Sequence, residues 1–286
     1  MNHVAFPGFG LDFEISKIAF SVFGKPIYWY AIIIAAGFLL AAVYTLRRTD
    51  EFGIKEDNFI DALIWAVPVA IIFARLYYVA FNFEPYRNDP IKILYIWEGG
   101  IAIYGSIIGA IAAMAVYCKV KKISLLSMLD LGVLGLLIGQ TIGRWGNFVN
   151  GEAYGTATNL PWRMEIFDVE SMSRMAVHPT FLYESLWNII GFILLHFRSK
   201  KRRFKGEIFL LYTAWYGFGR GLIEGLRTDS LYFMGTGLRV SQFLGFATCL
   251  IAVVILFIKY VFCDKEVPTK ISDEFTEDND NVSKDN

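Results

Sequence analysis

Long apolar runs broken by short polar stretches set the pattern of this chain. Runs centred on Tyr28 to Leu46, Phe59 to Phe81, Gly99 to Cys118, Leu125 to Gly143, Thr180 to Phe197, Glu207 to Ile223 and Val240 to Phe262 each reach about 17 to 22 residues, the length a helix needs to cross a hydrocarbon core of about 30 Å. The runs predict about seven transmembrane helices. Glycines crowd the third and fourth. Residues 1–27 lack a basic start, and Pro7, Gly8, Gly10, Asp12 and Glu14 interrupt any signal-like apolar core. That stretch reads as an amphipathic N-terminal segment lying on the membrane surface.

Residues 144–179 are rich in Gly, Asn and Pro, with short alternating pieces such as Trp162 to Phe167. They read as a small head at a membrane face, with transmembrane helices in 28–143 and 180–262. The tail 263–286 has eight Asp or Glu from Asp264 onward and reads as disordered. The expected fold is therefore an all-α integral membrane protein with a small outer-face head.

Charge in the short loops orients these spans. Arg47, Arg48 and Lys55 follow the first span, and Lys119, Lys121 and Lys122 follow the third. Arg198, Lys200, Lys201, Arg202, Arg203 and Lys205 follow the fifth. These alternate loops share one side and carry twelve basic residues, against eight spread over the longer remaining segments. Basic loops stay in the cytoplasm. The N-terminus is then outside and the C-terminus cytoplasmic.

Composition agrees with this picture: 55% of residues are apolar, and mean hydropathy is +0.45. Zero formal net charge argues against a nucleic-acid partner. Cys118, Cys249 and Cys263 have no metal-ligand or redox spacing. No cofactor or metal is expected.

Ionisable groups at membrane depth are costly and point to function. Arg75 lies two thirds of the way through span two, Arg144 ends span four, and Arg220 and Glu224 end span six. Tyr30 begins span one, and Tyr104 with Gly105 lies early in span three. With this orientation all fall in the outer half of the bilayer. A lone arginine at a span end snorkels to head groups, whereas three converging arginines suit a phosphate, because each guanidinium offers a planar fork of donors. Arg220 and Glu224 are spaced i, i+4 and share a helix face. The densest motif is Gly143-Arg144-Trp145-Gly146-Asn147-Phe148-Val149-Asn150-Gly151-Glu152-Ala153-Tyr154-Gly155. Its glycines and asparagines are expected to break the helix and line a polar cavity.

That run resembles the signature of bacterial prolipoprotein diacylglyceryl transferases. The resemblance extends to Trp29-Tyr30, Ala74-Arg75-Leu76-Tyr77-Tyr78 and Trp97-Glu98-Gly99-Gly100-Ile101-Ala102. It continues in His178-Pro179-Thr180-Phe181-Leu182-Tyr183-Glu184, Tyr216 to Glu224, and Arg227-Thr228-Asp229. These motifs occur in order, and the acidic tail lies outside the match. The resemblance implies transfer of a diacylglyceryl group from phosphatidylglycerol to the lipobox cysteine of a preprolipoprotein signal peptide. A thioether forms and glycerol 1-phosphate leaves. The implied partners are phosphatidylglycerol, the signal peptide and membrane lipids.

By resemblance, Arg144 and Arg220 are the essential arginines. Asn147, Asn150, Glu152 and Gly155 shape the pocket, and Tyr30 and Glu224 match further functional positions. Arg75 and Arg227 are expected to contact substrate. Tyr104 departs from members that carry histidine there. A tyrosine, with pKa near 10, is a poor base for a thiol of about 8.5. Either the arginines lower the thiol pKa, or Glu152, Glu224 or His178 takes the proton. A transporter is the main alternative, but the polar residues gather in one leaflet and no inverted repeat is visible. An intramembrane protease would need a Ser-His, paired-Asp or HExxH set within the spans, and the sequence has none.

Overall fold

The computed structural model describes residues 2–168, 173–233 and 236–262. The acidic tail and Cys263 lie outside the described residues. The described residues form six strands and seven long helices in successive blocks. β1 (Asn2–Phe6), β2 (Leu11–Ile15), β3 (Ile18–Val22) and β4 (Lys25–Tyr28) precede α1 (Trp29–Leu46), α2 (Glu56–Phe81), α3 (Ile103–Lys121) and α4 (Leu125–Asn150). β5 (Met164–Asp168) and β6 (Ser173–Val177) follow, then α5 (Thr180–Ser199), α6 (Glu207–Glu224) and α7 (Val240–Phe262).

Six of these helices are long and apolar enough to cross a membrane. α6 differs because Glu207, Arg220 and Glu224 all lie within its 18 residues. Along α7 the apolar side chains of Leu250, Phe257 and Phe262 are exposed. Outward apolar faces on this scale mark lipid contact. The chain is thus mostly helical, in the pattern of a multi-pass membrane protein.

Two expectations change. The N-terminal segment is β structure: its alternation of Val4 with Phe6 and of Ile18, Phe20 and Val22 has a period of two, which a strand satisfies. β1 lies between β2 and β5 in an antiparallel sheet of order β2-β1-β5-β6, while β3 and β4 pair separately as a hairpin. The fold is therefore not purely α. Second, the fourth helix does not break at Gly143. It continues through the signature motif to Asn150 and stops where Gly151 turns left-handed at φ 65°. Gly146 serves close packing instead: a Cβ there would lie 2.8 Å from the Tyr30 ring.

The chain divides into two compact units. Among the described residues, one comprises 2–45 and 130–262, and the other 46–129. In the first, Val4, Phe6, Met164, Ile166, Val177 and Phe181 form an apolar core, with Phe148 and Tyr154 against it. Stacked rings of Phe148 and Phe181, 4.6 Å apart, tie the end of α4 to the start of α5 under the sheet. α5 and α6 are joined by a reciprocal pair: Trp187 Nε1 donates to Trp215 O and Trp215 Nε1 to Trp187 O, each at 3.0 Å. Their rings stack at 4.3 Å, and a Cβ on Gly219 would meet Trp187 Nε1 at 2.1 Å. The indoles fit only because Gly191 and Gly219 leave room for them. This pair lies one turn from Glu184 on α5 and beside Arg220 on α6.

Candidate active site

A buried ion cluster sits where α4 and α6 end and α5 begins, in the first unit. Its centre is Glu184, whose side chain is 4% exposed. Arg144 Nη2 of α4 pairs with Glu184 Oε2. Arg220 Nη1 of α6 donates to Glu184 Oε1 at 3.1 Å, and Arg227 Nη1 of the following loop donates to the same oxygen at 3.2 Å. Arg220 Nη2 also pairs with Glu224 Oε2 at 2.6 Å, as the i, i+4 spacing requires. Arg227 closes the cluster with a fork onto Asp229, its Nε at 2.9 Å and Nη2 at 2.7 Å.

The Arg227–Asp229 pair lies in the loop beyond α6. Burial pushes the Asp229 carboxyl up, but the hydrogen bonds and charge of Arg227, joined by Arg220, hold it below the usual carboxylate range. Burial works against the Arg227 charge, and Asp229, Glu184 and Glu224 outweigh it, so the guanidinium is more basic than usual.

A second strand of contacts leads from the cluster along the signature motif. Arg144 Nη1 donates to Asn147 Oδ1 at 3.4 Å, and Asn147 Nδ2 donates to Glu152 Oε1 at 2.9 Å. Asn150 Nδ2 reaches the same Glu152 oxygen at 3.3 Å. The helical spacing of residues 144 and 147 puts Arg144 and Asn147 on one face, and the turn at Gly151 folds Glu152 back onto both amides. Glu152 and Asn150 line a cavity of about 340 Å³ together with Lys17, Tyr28, Tyr30 and Ala31. Arg144 is thereby connected, through Asn147 and Glu152, to the cavity that Tyr30 lines.

Gly155 is placed by backbone. Its N–H donates to His178 O at 3.0 Å, Thr156 N donates to Leu226 O at 2.7 Å, and a Cβ at 155 would lie 2.7 Å from His178 Cβ. The contact draws the Arg227 loop against the motif. His178 Nδ1 lies 3.3 Å from the Tyr183 hydroxyl, which accepts from Trp162 Nε1 at 2.8 Å.

The first unit thus brings together Arg144, Asn147, Asn150, Glu152, Gly155, Tyr30, Arg220, Glu224 and Arg227. Arg75 and Tyr104 belong to the second unit. Arg75 is buried and donates to four carbonyls: Ile93 at 2.8 Å, Gly99 at 2.7 Å, Gly100 at 2.9 Å and Lys92 at 2.6 Å. Its fork holds the loop between α2 and α3 in place. Tyr104 stands in the first turn of α3, its ring 6.5 Å from that of Tyr77. Glu184 and Lys17 join the residues expected from the sequence. Glu184 carried a signal, because a carboxylate in the second turn of an apolar span is as costly as the arginines.

Comparison with known proteins decides the family. The family described as prolipoprotein diacylglyceryl transferase matches residues 17–258. The chain belongs to that family. It is 44% identical to a protein of Enterococcus faecalis, with 86% of this chain and 91% of that protein covered. It is 47% identical to one of Finegoldia magna, covering 86% and 96%, and 42% identical to one of Clostridioides difficile, covering 91% and 100%. Each of the three is named phosphatidylglycerol–prolipoprotein diacylglyceryl transferase. The match begins at Lys17 in the loop between β2 and β3 and spans both compact units.

Proposed function

We propose that this protein transfers the diacylglyceryl group of phosphatidylglycerol to the lipobox cysteine thiol of preprolipoproteins, the first step of lipoprotein maturation. The arginine cluster around Glu184 carries the reading. In the reaction a carbon–sulfur bond forms at the glycerol carbon of the lipid, and that carbon's bond to the phosphate oxygen breaks. The electron pair stays on the phosphate, which goes from a singly charged diester to a monoester of greater negative charge. The thiol proton leaves to a base or to the departing glycerol 1-phosphate.

Arg144 and Arg220 supply what this step demands. Each guanidinium has five N–H donors, only some of which face Glu184, Glu224 and Asn147. Side-chain exposures of 20% and 19% leave both reachable. Donors already in place bind the growing phosphate charge more strongly than the ground-state diester, and so accelerate bond breaking. Asn150, Glu152 and Tyr30 line the neighbouring cavity, where the polar glycerol head or the incoming thiol is held, and Asn147 bonds Glu152 at its wall. Arg227 anchors Glu184 from the loop side. Arg75, with four carbonyls on its fork, is left out of the phosphate set.

The membrane arrangement follows the same reading. α6 is the sixth of seven spans, its charges sheltered by pairing within the bundle. The basic loops after α1, α3 and α5 are cytoplasmic, which puts the arginine cluster and the sheet on the outer face of the plasma membrane. The exposed Ile18, Phe20, Val22 and Phe23 of the β3–β4 hairpin, directly before α1, favour a segment resting on the lipid surface.

Purified protein in vesicles of phosphatidylglycerol, given a lipobox peptide, tests this reading. Diacylglyceryl-modified peptide is expected, and none with vesicles of phosphatidylethanolamine alone. Movement of lipid across the vesicle without peptide modification would support a transporter instead.

A further inference from the structure

Glu184 accepts three arginines, each from a different segment. Its Oε2 faces Arg144 on α4, while Oε1 takes Arg220 on α6 at 3.1 Å and Arg227 at 3.2 Å. Arg144 and Arg220 therefore stand on opposite oxygens of one carboxylate. The carboxylate itself is locked. Ser185, the next residue, accepts from Trp145 Nε1 at 3.2 Å and donates to Thr141 O at 3.0 Å, fixing α5 to α4. Three residues on, the Trp187–Trp215 pair fixes α5 to α6. A buried anion held this firmly acts as a spacer as well as a counter-charge. Without it, the cations on α4 and α6 would repel and swing toward other acceptors, with Glu224 nearest to Arg220.

We infer that Glu184 is a positioning residue for the transfer: its carboxylate sets the spacing and direction of the Arg144 and Arg220 guanidiniums so that both face one phosphate as its charge grows. It does not touch the reacting atoms. The inference rests on the proposed reaction and adds a residue to it. Preorganised donors matter most in the transition state, so the loss belongs in kcat and not in KM.

The discriminating variant is Glu184→Asp, which keeps the neutralising charge and shortens the arm by one methylene. It cannot then meet guanidiniums from three segments at once. Purified variants are assayed with phosphatidylglycerol vesicles and a lipobox peptide, and helix content is followed by circular dichroism. Glu184→Asp is expected to lower kcat by about 10- to 100-fold, with KM for phosphatidylglycerol within about threefold of wild type. Glu184→Gln, which loses the charge, should lower kcat by about 100-fold or more. Full kcat in the Asp variant would mean that charge alone suffices and would overturn the inference. So would a rise in KM at unchanged kcat, or loss of the fold in a variant that still neutralises the arginines. An inactive wild-type protein would instead overturn the reaction on which the inference stands.

Discussion

Replacing Arg144 by lysine keeps the positive charge and removes the fork. Arg144 uses two different nitrogens, Nη2 toward Glu184 and Nη1 toward Asn147. A single ammonium cannot stand in both places, and it also presents fewer donors to a phosphate. The site is largely enclosed, with Arg144 20% exposed and Glu184 4%, so one lost charge-assisted hydrogen bond costs about 1.5–3 kcal/mol. At about 1.4 kcal/mol per tenfold in rate, Arg144→Lys should transfer about 10- to 100-fold more slowly. Arg144→Ala, which loses charge and fork together, should fall below detection while still inserting as a helical protein. The assay is the rate of peptide modification in phosphatidylglycerol vesicles, with circular dichroism on the same samples. A lysine variant within about threefold of wild type would refute the argument, because Arg144 would then act as a point charge only.

Other consequences follow from particular contacts. Asp130 Oδ2 accepts from Gly206 N at 2.7 Å and its Oδ1 from Phe209 N at 2.8 Å, so a carboxylate on α4 caps the start of α6. Asp130→Ala should destabilise the protein by about 2–4 kcal/mol, read as an earlier unfolding transition in detergent. Asp229, held below the usual carboxylate range by Arg227, contributes stability that is present above its unfolded pKa of about 3.9 and lost as pH falls through its lowered folded value. The difference in melting temperature between wild type and Asp229→Asn should therefore be level from pH 7 to about 5 and shrink below about pH 4. Tyr104→Phe asks whether the Tyr104 hydroxyl takes part. Because a tyrosine is a poor base for a thiol, transfer should stay within about threefold, and a 100-fold loss would return Tyr104 to the chemistry.

Much of this architecture is written in the chain at low resolution. Helix boundaries fall close to the apolar runs because lipid demands a span of about 20 residues whatever the partner helices are. α4 is the exception. Gly143 and Gly146 look like breakers in isolation, yet in the bundle Gly146 is the space into which the Tyr30 ring fits. The sheet was harder to see, because β1 meets β5 across some 160 residues of chain, and short alternating pieces such as Val4 to Phe6 have no local signature of their partners.

The candidate site is legible in its charged residues and not in its wiring. Arg144, Arg220, Glu224 and the two asparagines stand out because charge and amide groups at membrane depth need a reason. Arg75 stands out by the same rule, but its reason is a loop of four carbonyls, which no periodicity announces. Glu184 was hidden in plain view in the fifth-span motif. Its importance comes from three arginines on three segments meeting one carboxylate, and that is a property of tertiary packing.

The most direct test of the central claim follows where each half of the lipid goes. Phosphatidylglycerol labelled in the phosphate, and separately in an acyl chain, is given to the purified protein with a lipobox peptide. The account predicts that the acyl label joins the peptide through its cysteine, while the phosphate label appears as water-soluble glycerol phosphate in equal amount. Phosphate label on the peptide, or acyl label that never leaves the lipid, would contradict it.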